Sequence, residues 1–334
     1  MFTQKIKKIS LIIQVYQGGL FLKDCLDSVR QNIYSFNSIY ISINKSACSN
    51  ADLHTALSLK KEIKKILQDN INITIFTQDT RLSARDHSIV FYKNILQCDK
   101  TADFFMILCH DDILLPAFSE NISSILSNLN ENEILNPARS YYKENFTKKT
   151  YKGSCYGLVS YPDFKTTKEE FAMRSLDCAP STCITGFILS KKALFEYLKI
   201  LPFFAYGYRA EYVMMFLPSV KYVKSTNIPI VGIRNHTNQT GAQYFAKAHI
   251  HDERLYFFLL WYISKNANFK SQIKKHISFF SKDIFIFFDI LKLHFRCFLF
   301  TKSISTFLEA HITVIITIFQ RILTKVKKIS KSFK

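Results

Sequence analysis

The sequence predicts an α/β fold in which a mostly parallel sheet is followed by a helical C-terminal region. Within the first 110 residues, short runs rich in β-branched residues alternate with longer runs of helical periodicity, which is typical of parallel strands joined by crossover helices. In addition, 48% of the 334 residues are hydrophobic, and only 8 are Gly and 7 are Pro. This composition indicates a packed core and excludes collagen-like and low-complexity chains.

Four strands are predicted in this first part, at 8–16, 38–44, 71–77 and 103–109. Three helices separate them. The second and third helices cover 51–69 and 83–97, and the first is indicated by apolar residues at helical spacing: Leu22, Cys25, Leu26, Val29 and Ile33. Ligands gather at the carboxyl ends of parallel strands. We therefore expect one rim of the sheet to be lined by the residues that end these strands: Tyr16, Asn44, Thr77 and Asp111.

The pattern is less regular from about 130 to 235 and becomes helical after 243. In the irregular part we predict strands at 184–189 and 228–234 and helices at 190–199 and 208–217. The C-terminal part contains three apolar stretches with interspersed charges, at 254–263, 278–300 and 307–328.

Positive charge is concentrated in the C-terminal part. Residues 241–334 carry 16 Lys and Arg against 5 Asp and Glu, in a chain of formal net charge +19. No uncharged run reaches the roughly 20 residues that a membrane span needs. Apolar helices with basic flanks suit either an element lying in the interface of an anionic bilayer or a helical bundle that caps the rest of the protein. Nucleic acid is not expected as a partner, because the chain has no helix-turn-helix, zinc or RNA-binding motif.

The cysteines and the N-terminus indicate a cytosolic protein. The eight cysteines include no C-x-x-C pair and no metal-ligand spacing, which is typical of reduced thiols. The N-terminus begins with basic residues, but its apolar run breaks at Gln14 and no cleavage site of small residues follows. We therefore expect no signal peptide.

Five segments resemble those of one enzyme family, in the same order and at fitting spacing. They are ISLIIQVYQGGLFLKDCLDSV (9–29), LSARDHSIVFYKN (82–94), DFFMILCHDDILLP (103–116), AEYVMMF (210–216) and RNHTNQTG (234–241). In family 2 glycosyltransferases, similar segments form the first strand and helix, an Ala-Arg-Asn helix start, a strand ending in an Asp-x-Asp-Asp motif, the helix start that carries the catalytic base, and an Arg-x-His-x-x-Gln-x-Thr segment. Each motif is weak by itself, but together they cover about 8–241.

This resemblance implies a GT-A fold, in which a Rossmann-like nucleotide-binding sheet is fused to an acceptor-binding part. Residues 1–241 would form that domain, with 1–116 as the nucleotide-sugar-binding half and 117–241 as the acceptor-binding half. Residues 242–334 would form a helical, basic and amphipathic extension that associates with the membrane.

The acidic pair after the fourth strand is the expected metal site. By position, Asp111 matches the family's middle Asp and Asp112 its last, the usual metal ligand. A departing diphosphate needs a divalent cation, and Mg²⁺ or Mn²⁺ takes oxygen ligands such as these carboxylates. Cys109 replaces an Asp that contacts the donor ribose in the family, and a thiol cannot replace that acceptor. Two alternatives remain open: helix capping or simple solvation of the pair, and a soft-metal site of His110, Asp111 and Asp112.

Donor recognition is expected from the first two strand ends and the third helix. Tyr16 follows Gln14-Val15, where the family has Pro-Val, and its ring or backbone would flank the base. Asn44 replaces an Asp that accepts the uracil N–H, and an amide carbonyl can still accept that bond. Arg85 is the candidate cation for the phosphates or a base edge, with Asp86 as its pairing partner. An ordinary turn Asn and a surface helix Arg are the alternatives.

An inverting transfer needs a base that removes the proton of the attacking acceptor hydroxyl. Aligning Tyr212 with the family's Tyr places Glu211 on the base position, although Glu is one methylene longer than the family's Asp. By the same resemblance, His236 would reach the metal or the product diphosphate. The alternatives are a solvated Glu in a first helical turn and a structural His.

These expectations combine into an inverting, metal-dependent glycosyltransferase. It would move a sugar from a nucleoside-diphosphate donor to a lipid-linked bacterial polysaccharide of the O-antigen or capsule type, at the inner face of the cytoplasmic membrane. One rival hypothesis is a degenerate transferase that acts as a membrane-bound assembly partner. The other is a nucleotidyltransferase, a class that usually has a Gly-rich loop bearing Lys or Arg after the first strand, whereas here no cation follows Gly18-Gly19 until Lys23.

Overall fold

A computed structural model provides the structure of the chain. It describes residues 7–67, 71–143, 157–159, 164–171, 184–204 and 217–235, together with positions 268, 270, 271, 295, 299, 312 and 323. The chain divides into two compact units, Met1–Ala248 and His249–Lys334. The described positions of the second unit are all helical. None of the helices that the described residues form is long and apolar enough to cross a membrane.

Ten strands and five helices of ten or more residues are described in the first unit. The strands are β1 Ile9–Val15, β2 Ser38–Ile43, β3 Asn72–Thr77, β4 Phe104–Cys109, β5 Ile113–Leu114, β6 Glu133–Lys143, β7 Gly157–Val159, β8 Phe164–Thr167, β9 Ile188–Ser190 and β10 Tyr222–Asn235. The helices are α1 Gly19–Gln31, α2 Ser49–Leu67, α3 Ala84–Cys98, α4 Ala117–Ser127 and, as the fifth, α5 Lys191–Ile200. The four strands and three helices predicted in the first part are thus confirmed to within a few residues.

All ten strands belong to one sheet, in the order β3-β2-β1-β4-β9-β6-β10-β5, with β7 beside β6 and β8 beside β10. β1 to β4 run parallel, and their last residues lie side by side: Val15 pairs with Ile43, Ile43 with Thr77, and Gln14 with Cys109. The predicted rim at the carboxyl ends of these strands is therefore present. β9 then runs antiparallel to both β4 and β6.

Helices cover both faces of the parallel strands, which explains why these strands are apolar nearly throughout. On one face, Leu11 and Ile13 of β1 belong to the same buried cluster as Leu26 of α1, Ile63 of α2 and Phe118 of α4. Burial of one such side chain contributes about 1.5–3 kcal/mol. The cluster holds the sheet rigid beneath the rim.

The opposite face of β1 carries α3. The Tyr92 hydroxyl of α3 donates to the Gln14 side chain of β1 over 3.2 Å, and the Tyr92 ring lies 6.0 Å from the Tyr197 ring of α5. The central parallel strands β1, β2 and β4 are therefore packed between two helical layers, and their ends form the rim.

The second part of the sheet differs from the prediction. The strand predicted at 184–189 is the shorter β9, and the one predicted at 228–234 is the longer β10. β6 was not predicted, because Asn136, Pro137 and Arg139 interrupt its apolar pattern. The helix predicted at 190–199 is confirmed as α5. The helix predicted at 208–217 and most of the C-terminal helical stretches lie outside the described residues.

Candidate active site

The turn that joins β4 to β5 brings together the three residues with the chemistry to hold a metal ion. The Asp112 N–H donates to the Cys109 carbonyl over 3.1 Å, closing a tight turn through His110 and Asp111. One ligand atom of each of Cys109, Asp111 and Asp112 lies within 4.8 Å of the others. Asp112 is buried, while Cys109 and Asp111 are half-buried. The predicted acidic pair is thus joined by the thiol that precedes it.

Asp112 is held in place from β10. Its Oδ1 accepts the backbone N–H of Arg234 over 2.9 Å. The Arg234 guanidinium donates to Asp24 Oδ2 of α1 over 2.7 Å and lies 4.3 Å from the centre of the Phe21 ring. One oxygen of the Asp112 carboxylate is therefore bound to the backbone, and this bond determines the direction of the other oxygen.

A glycine allows β10 to approach this closely. Gly232 pairs with Ile113 in the antiparallel β10–β5 ladder. A Cβ atom on Gly232 would lie 2.8 Å from Ile113 Cγ1 and 2.9 Å from Tyr142 Cε2, closer than real side chains come. A larger residue would therefore force the Ile113 and Tyr142 side chains to shift beside the strand that carries Arg234.

The backbone of Cys109 is fixed from both sides. Its N–H donates to Thr185 Oγ1 over 2.7 Å, and its carbonyl accepts the Cys25 thiol over 3.7 Å in addition to the Asp112 N–H. Gly186 has a φ of +90°, a conformation that glycine adopts readily, and this allows the Thr185 turn to reach the end of β4. There the Gly186 N–H donates to the Ile107 carbonyl over 2.7 Å.

Negative charge accumulates around the turn. Cys25 lies in α1 beneath the turn and is completely buried. Burial raises the pKa of the Cys25 thiol well above its usual value, and the charges of Asp112 and Asp111 raise it further. The site therefore disfavours another anion close by and favours a cation.

The loop after β1 is organised by an acid of α2. The buried Asp52 carboxylate accepts the N–H groups of Gly18 and Gly19 over 3.1 and 2.9 Å. A Cβ atom on Gly18 would meet Leu22 Cβ at 2.7 Å, so only glycine fits there. The two glycine N–H groups at the start of α1 already bind an internal carboxylate instead of a phosphate.

Tyr16 lies at the end of β1, on the predicted rim. The Arg81 guanidinium lies 5.2 Å from the centre of its ring. At this distance the positive charge of Arg81 is attracted to the face of the Tyr16 ring. Tyr16 and Arg81 thus place an aromatic ring and a positive charge next to each other at the rim.

Asn44, at the end of β2, binds the backbone of its surroundings. Its amide nitrogen donates to the Leu82 carbonyl over 2.9 Å, and its carbonyl accepts the N–H groups of Leu82 and Lys45 over 3.0 and 2.9 Å. In the structure Asn44 therefore joins the β2 end to the segment before α3. Its contact with a base stays a prediction.

Arg85 pairs with Asp86, as the sequence predicted. Its guanidinium lies 2.8 Å from Asp86 Oδ1 and also donates to the Phe204 carbonyl over 2.9 Å. The Ser83 hydroxyl lowers the pKa of the Asp86 carboxyl by a hydrogen bond, and Arg85 lowers it further. Arg85, in the first turn of α3, thus connects this helix to the segment after α5.

His110 points back toward β1, where its Nδ1 lies 3.1 Å from the Gln14 carbonyl. The cluster of ligand atoms in the described structure contains Cys109 together with Asp111 and Asp112, and not His110. Two further predicted site residues, Glu211 and His236, lie outside the described residues. Among the predicted site residues, the structure brings Asp111 and Asp112 together, and the roles of the others stay predictions.

Three residues around this site had no signal in the sequence: Asp24, Asp52 and Thr185. A fourth, Arg234, opens the RNHTNQTG segment, so a role near the site was indicated but its bond to Asp112 was not. The first three act through one or two hydrogen bonds between elements distant in sequence, and no local pattern encodes such bonds.

No family model matches the sequence, and no curated protein matches it. Solved structures do match. TarS of S. aureus gives a TM-score of 0.51 at 10% identity, covering 93% of this chain and 54% of TarS. The mannosyltransferase PcManGT from Pyrobaculum calidifontis, solved with GDP-Man and Mn²⁺, gives a TM-score of 0.50 at 9% identity, covering 97% of this chain and 84% of PcManGT.

A 4-diphosphocytidyl-2C-methyl-D-erythritolsynthase from Anaerococcus prevotii also matches, at 13% identity and over 74% of this chain and 99% of its own, but its TM-score of 0.37 carries no argument. This chain spans about half the length of TarS (54%). At identities near 10% these likenesses show the fold alone. The fold is the mixed α/β GT-A fold predicted from the sequence.

Proposed function

We propose that this protein is an inverting, metal-dependent glycosyltransferase that uses a nucleoside-diphosphate sugar. The observation that carries the proposal is the cluster of Cys109, Asp111 and Asp112 at the carboxyl rim of a parallel sheet. In open α/β sheets this rim is where ligands bind. PcManGT, which has the same fold, was solved with GDP-Man and Mn²⁺, and this supports a nucleotide-sugar donor and a divalent cation here.

The cluster fits a hard divalent cation. Such ions bind oxygen ligands at about 2.0–2.6 Å, so ligand atoms on one ion are at most about 4–5 Å apart. The mutual distance of 4.8 Å or less agrees with one ion held by Asp111 and Asp112. Because Asp112 Oδ1 is bound to the Arg234 N–H, the carboxylate would hold the ion through Oδ2. Bound Mg²⁺ or Mn²⁺ would neutralise the charge that develops on the departing diphosphate.

The donor would lie along the rim between β1 and α3. Tyr16 would flank the base, and Arg85, near the N-terminus of α3, would face the phosphates. Asn44 would contribute by holding the Leu82 segment beside the base. In this arrangement the protein positions the donor while the anomeric carbon faces the acceptor half.

The acceptor chemistry is assigned to Glu211 and His236. Glu211 would remove the proton of the acceptor hydroxyl as that oxygen attacks the anomeric carbon and the bond to the diphosphate breaks, with inversion at that carbon. His236, two residues after Arg234, would reach the product diphosphate. Both assignments derive from the family resemblance.

The nucleotidyltransferase hypothesis receives less support from the structure. That class binds triphosphate through backbone N–H groups of a Gly-rich loop and an adjacent cation. Here the N–H groups of Gly18 and Gly19 bind Asp52, and a buried carboxylate repels a phosphate. The degenerate-transferase hypothesis differs in predicting metal and nucleotide binding without turnover.

The decisive experiment compares Asp112→Asn and Glu211→Gln with the wild-type protein. Asn keeps the oxygen that accepts the Arg234 N–H but removes the charge, so the fold should persist while Mn²⁺ binding and turnover fall by roughly 100-fold or more. Glu211→Gln should abolish turnover and leave Mn²⁺ binding unchanged. A thermal-shift screen of nucleoside diphosphates with Mn²⁺ first identifies the base that the protein prefers. Turnover is then measured as hydrolysis or transfer of nucleotide sugars that carry this base.

Asp27→Asn, at a half-buried position of α1 that pairs with Lys23, serves as the matched control and should be fully active. Full activity of both site variants would contradict the site assignment. Nucleotide and Mn²⁺ binding without turnover of any donor would instead favour the degenerate transferase.

We further propose that residues 242–334 hold the enzyme at the inner face of the cytoplasmic membrane, where a lipid-linked polysaccharide acceptor lies. Their 16 cations against 5 acids within 241–334 support attraction to anionic lipid. Removing residues 270–334 should move the protein from the membrane to the soluble fraction, measured by flotation with anionic vesicles. Unchanged partitioning would contradict the anchor.

A further inference from the structure

We infer that Cys109 is a third protein ligand of the metal site, and that its sulfur gives this site a preference for thiophilic divalent ions such as Co²⁺, Zn²⁺ and Cd²⁺. The inference depends on the metal site in the proposed function, but it does not depend on sugar transfer. It assigns a role to the residue at which the chain departs most clearly from the pattern it resembles.

The geometry places the sulfur among the ligands. Cys109 Sγ lies within 4.8 Å of a carboxylate oxygen of both Asp111 and Asp112. One ion that binds a sulfur at about 2.3 Å and an oxygen at about 2.0–2.2 Å holds these two atoms at most about 4.5 Å apart. Atoms that lie within 4.8 Å of one another therefore need only small side-chain rotations to bind one ion. The three atoms would then form one face of a coordination sphere, with the remaining positions open to phosphate oxygens or water.

The backbone that carries the sulfur is held in place. The Cys109 N–H donates to Thr185 Oγ1 over 2.7 Å, and its carbonyl accepts both the Asp112 N–H and the Cys25 thiol. The peptide units on both sides of the Cys109 Cα are therefore bonded, which fixes the Cβ atom at the turn that Cys109 shares with the two acids. Rotation about a single side-chain bond then brings the sulfur to the ion, so the entropy loss on metal binding is small.

The chemistry of a thiol suits this role better than it suits contact with a sugar. A thiol is a weak acceptor for a ribose hydroxyl, whereas a thiolate is a strong ligand for borderline and soft ions. On binding, the Cys109 S–H bond breaks, its proton passes to the buffer, and the sulfur's electron pair forms the metal–sulfur bond. Mg²⁺ and Mn²⁺ would be held chiefly through the carboxylates, whereas Co²⁺, Zn²⁺ and Cd²⁺ would gain the sulfur.

Other cysteines provide internal comparisons. Cys25 of α1 is completely buried, and its thiol donates to the Cys109 carbonyl. Cys98 is exposed at the C-terminal end of α3. Neither belongs to the cluster that the described residues form around the turn. A thiolate–metal signal from this protein should therefore depend on Cys109 and be insensitive to Cys98.

The test is a titration of the full-length protein with Co²⁺, followed by absorption spectroscopy. We expect a thiolate-to-cobalt charge-transfer band in the near ultraviolet for the wild type and for Cys98→Ser. Cys109→Ser should lose the band and bind Co²⁺ and Zn²⁺ about 10–100-fold more weakly, while its Mn²⁺ affinity changes less than about threefold, as measured by calorimetry. Cys109→Asp should also lack the band but bind Mn²⁺ at least as tightly as the wild type.

The outcomes separate this inference from the proposed function. A Cys109→Ser protein that keeps the band, or that binds Co²⁺ and Zn²⁺ as tightly as the wild type, would overturn the role of Cys109. This holds even if Asp112→Asn abolishes Mn²⁺ binding and so supports the metal site itself. A Cys109-dependent band in a protein that turns over no nucleotide sugar would support the ligand assignment and contradict glycosyl transfer. Equal thermal melting of the apo variants shows that folding is retained.

Discussion

The two parts of the sheet are built by different means. β1 to β4 bury mainly apolar side chains between two helical layers, with small hydroxyls at Ser10, Ser38 and Ser42, whereas β6 and β10 also bury large polar side chains. Arg139 and Asn136 of β6 are completely buried, and Arg234 of β10 is 2% exposed. The first part is held chiefly by surface area removed from water, and the second depends more on buried hydrogen bonds. A hydrophobic pattern reveals the first kind of strand and hides the second.

Arg139 shows how the second part supports the first. Its guanidinium donates to the Thr185 and Pro137 carbonyls over 3.0 and 3.1 Å and to Asn136 Oδ1 over 2.8 Å. It also lies 5.2 Å from the centre of the Phe187 ring. Since Thr185 in turn accepts the Cys109 N–H, a buried cation of β6 positions the strand end that carries the candidate metal site.

The largest expected effect follows from removing this cation. Arg139→Met should lower the free energy of unfolding by about 3–5 kcal/mol, because three buried acceptors lose their donor. Because the Thr185 turn loses its support, Mn²⁺ affinity should fall as well. Urea unfolding measures the first effect, and Mn²⁺ calorimetry at a temperature where the variant is folded measures the second.

The matched comparison in the first part is Leu11→Ala in β1. This variant should lose a similar amount of stability, about 3–5 kcal/mol, through the cavity it leaves. Its Mn²⁺ affinity should equal that of the wild type while the protein is folded, since Leu11 contacts the core and not the rim. If both variants kept the wild-type metal affinity, the proposed link between Arg139 and the site would be refuted.

One buried polar residue that packs on the first part, His87 of α3, predicts a pH dependence. His87 is buried, stacks against Phe91 with ring centres 6.3 Å apart, and its Nε2 lies 2.8 Å from Ser42 Oγ. Burial, together with a smaller contribution from the nearby His110, lowers the pKa of His87 to about 4. Between about pH 6.5 and 4 the unfolded chain therefore binds a proton at His87 that the folded chain does not.

Stability should consequently be complete above about pH 6.5 and decrease as the pH falls toward 4, by up to about 3 kcal/mol from this residue. His87→Gln should remove this contribution, so the difference between the two proteins should change with pH in that window and be constant outside it. Urea unfolding at several pH values measures the difference. A constant difference between pH 7 and pH 4 would show that His87 is not buried in the neutral form.

The smallest effect is expected at the rim. Asn44→Ala removes three hydrogen bonds to the Leu82 and Lys45 backbone and should lower the free energy of unfolding by about 1–3 kcal/mol. Because the Leu82 segment is released, affinity for the preferred nucleoside diphosphate should fall by roughly tenfold. Asn128→Ala, which loses one exposed bond to the Ser124 carbonyl, is the control. A stable Asn44 variant with unchanged nucleotide affinity would show that the segment is held by other contacts.

The sequence predicted the part of the site that is local. Asp111 and Asp112 follow an apolar strand, and strand ends in a parallel sheet share one edge, so the position of the acidic pair followed from the alternating pattern alone. The pairing of Arg85 with Asp86 was also predicted from neighbouring residues, and the structure confirms it. The roles of Asn44 and Cys109 required partners from distant segments, and these were not predictable.

The sequence by itself determined where the first four strands lie along the chain, the rim at which their ends meet and the residue types available there. Strands that are buried on both faces leave continuous apolar runs in the sequence. Strands joined by crossover helices run parallel, so their carboxyl ends all lie at the same edge of the sheet. Only the tertiary structure decided how the acidic turn is oriented. The Arg234 N–H and the Thr185 hydroxyl each reach the turn from a separate element through one hydrogen bond, and the Asp52 carboxylate fixes the loop after β1 through two. Such bonds depend on distances of a few tenths of an ångström between segments up to 122 residues apart, and no periodic pattern records them.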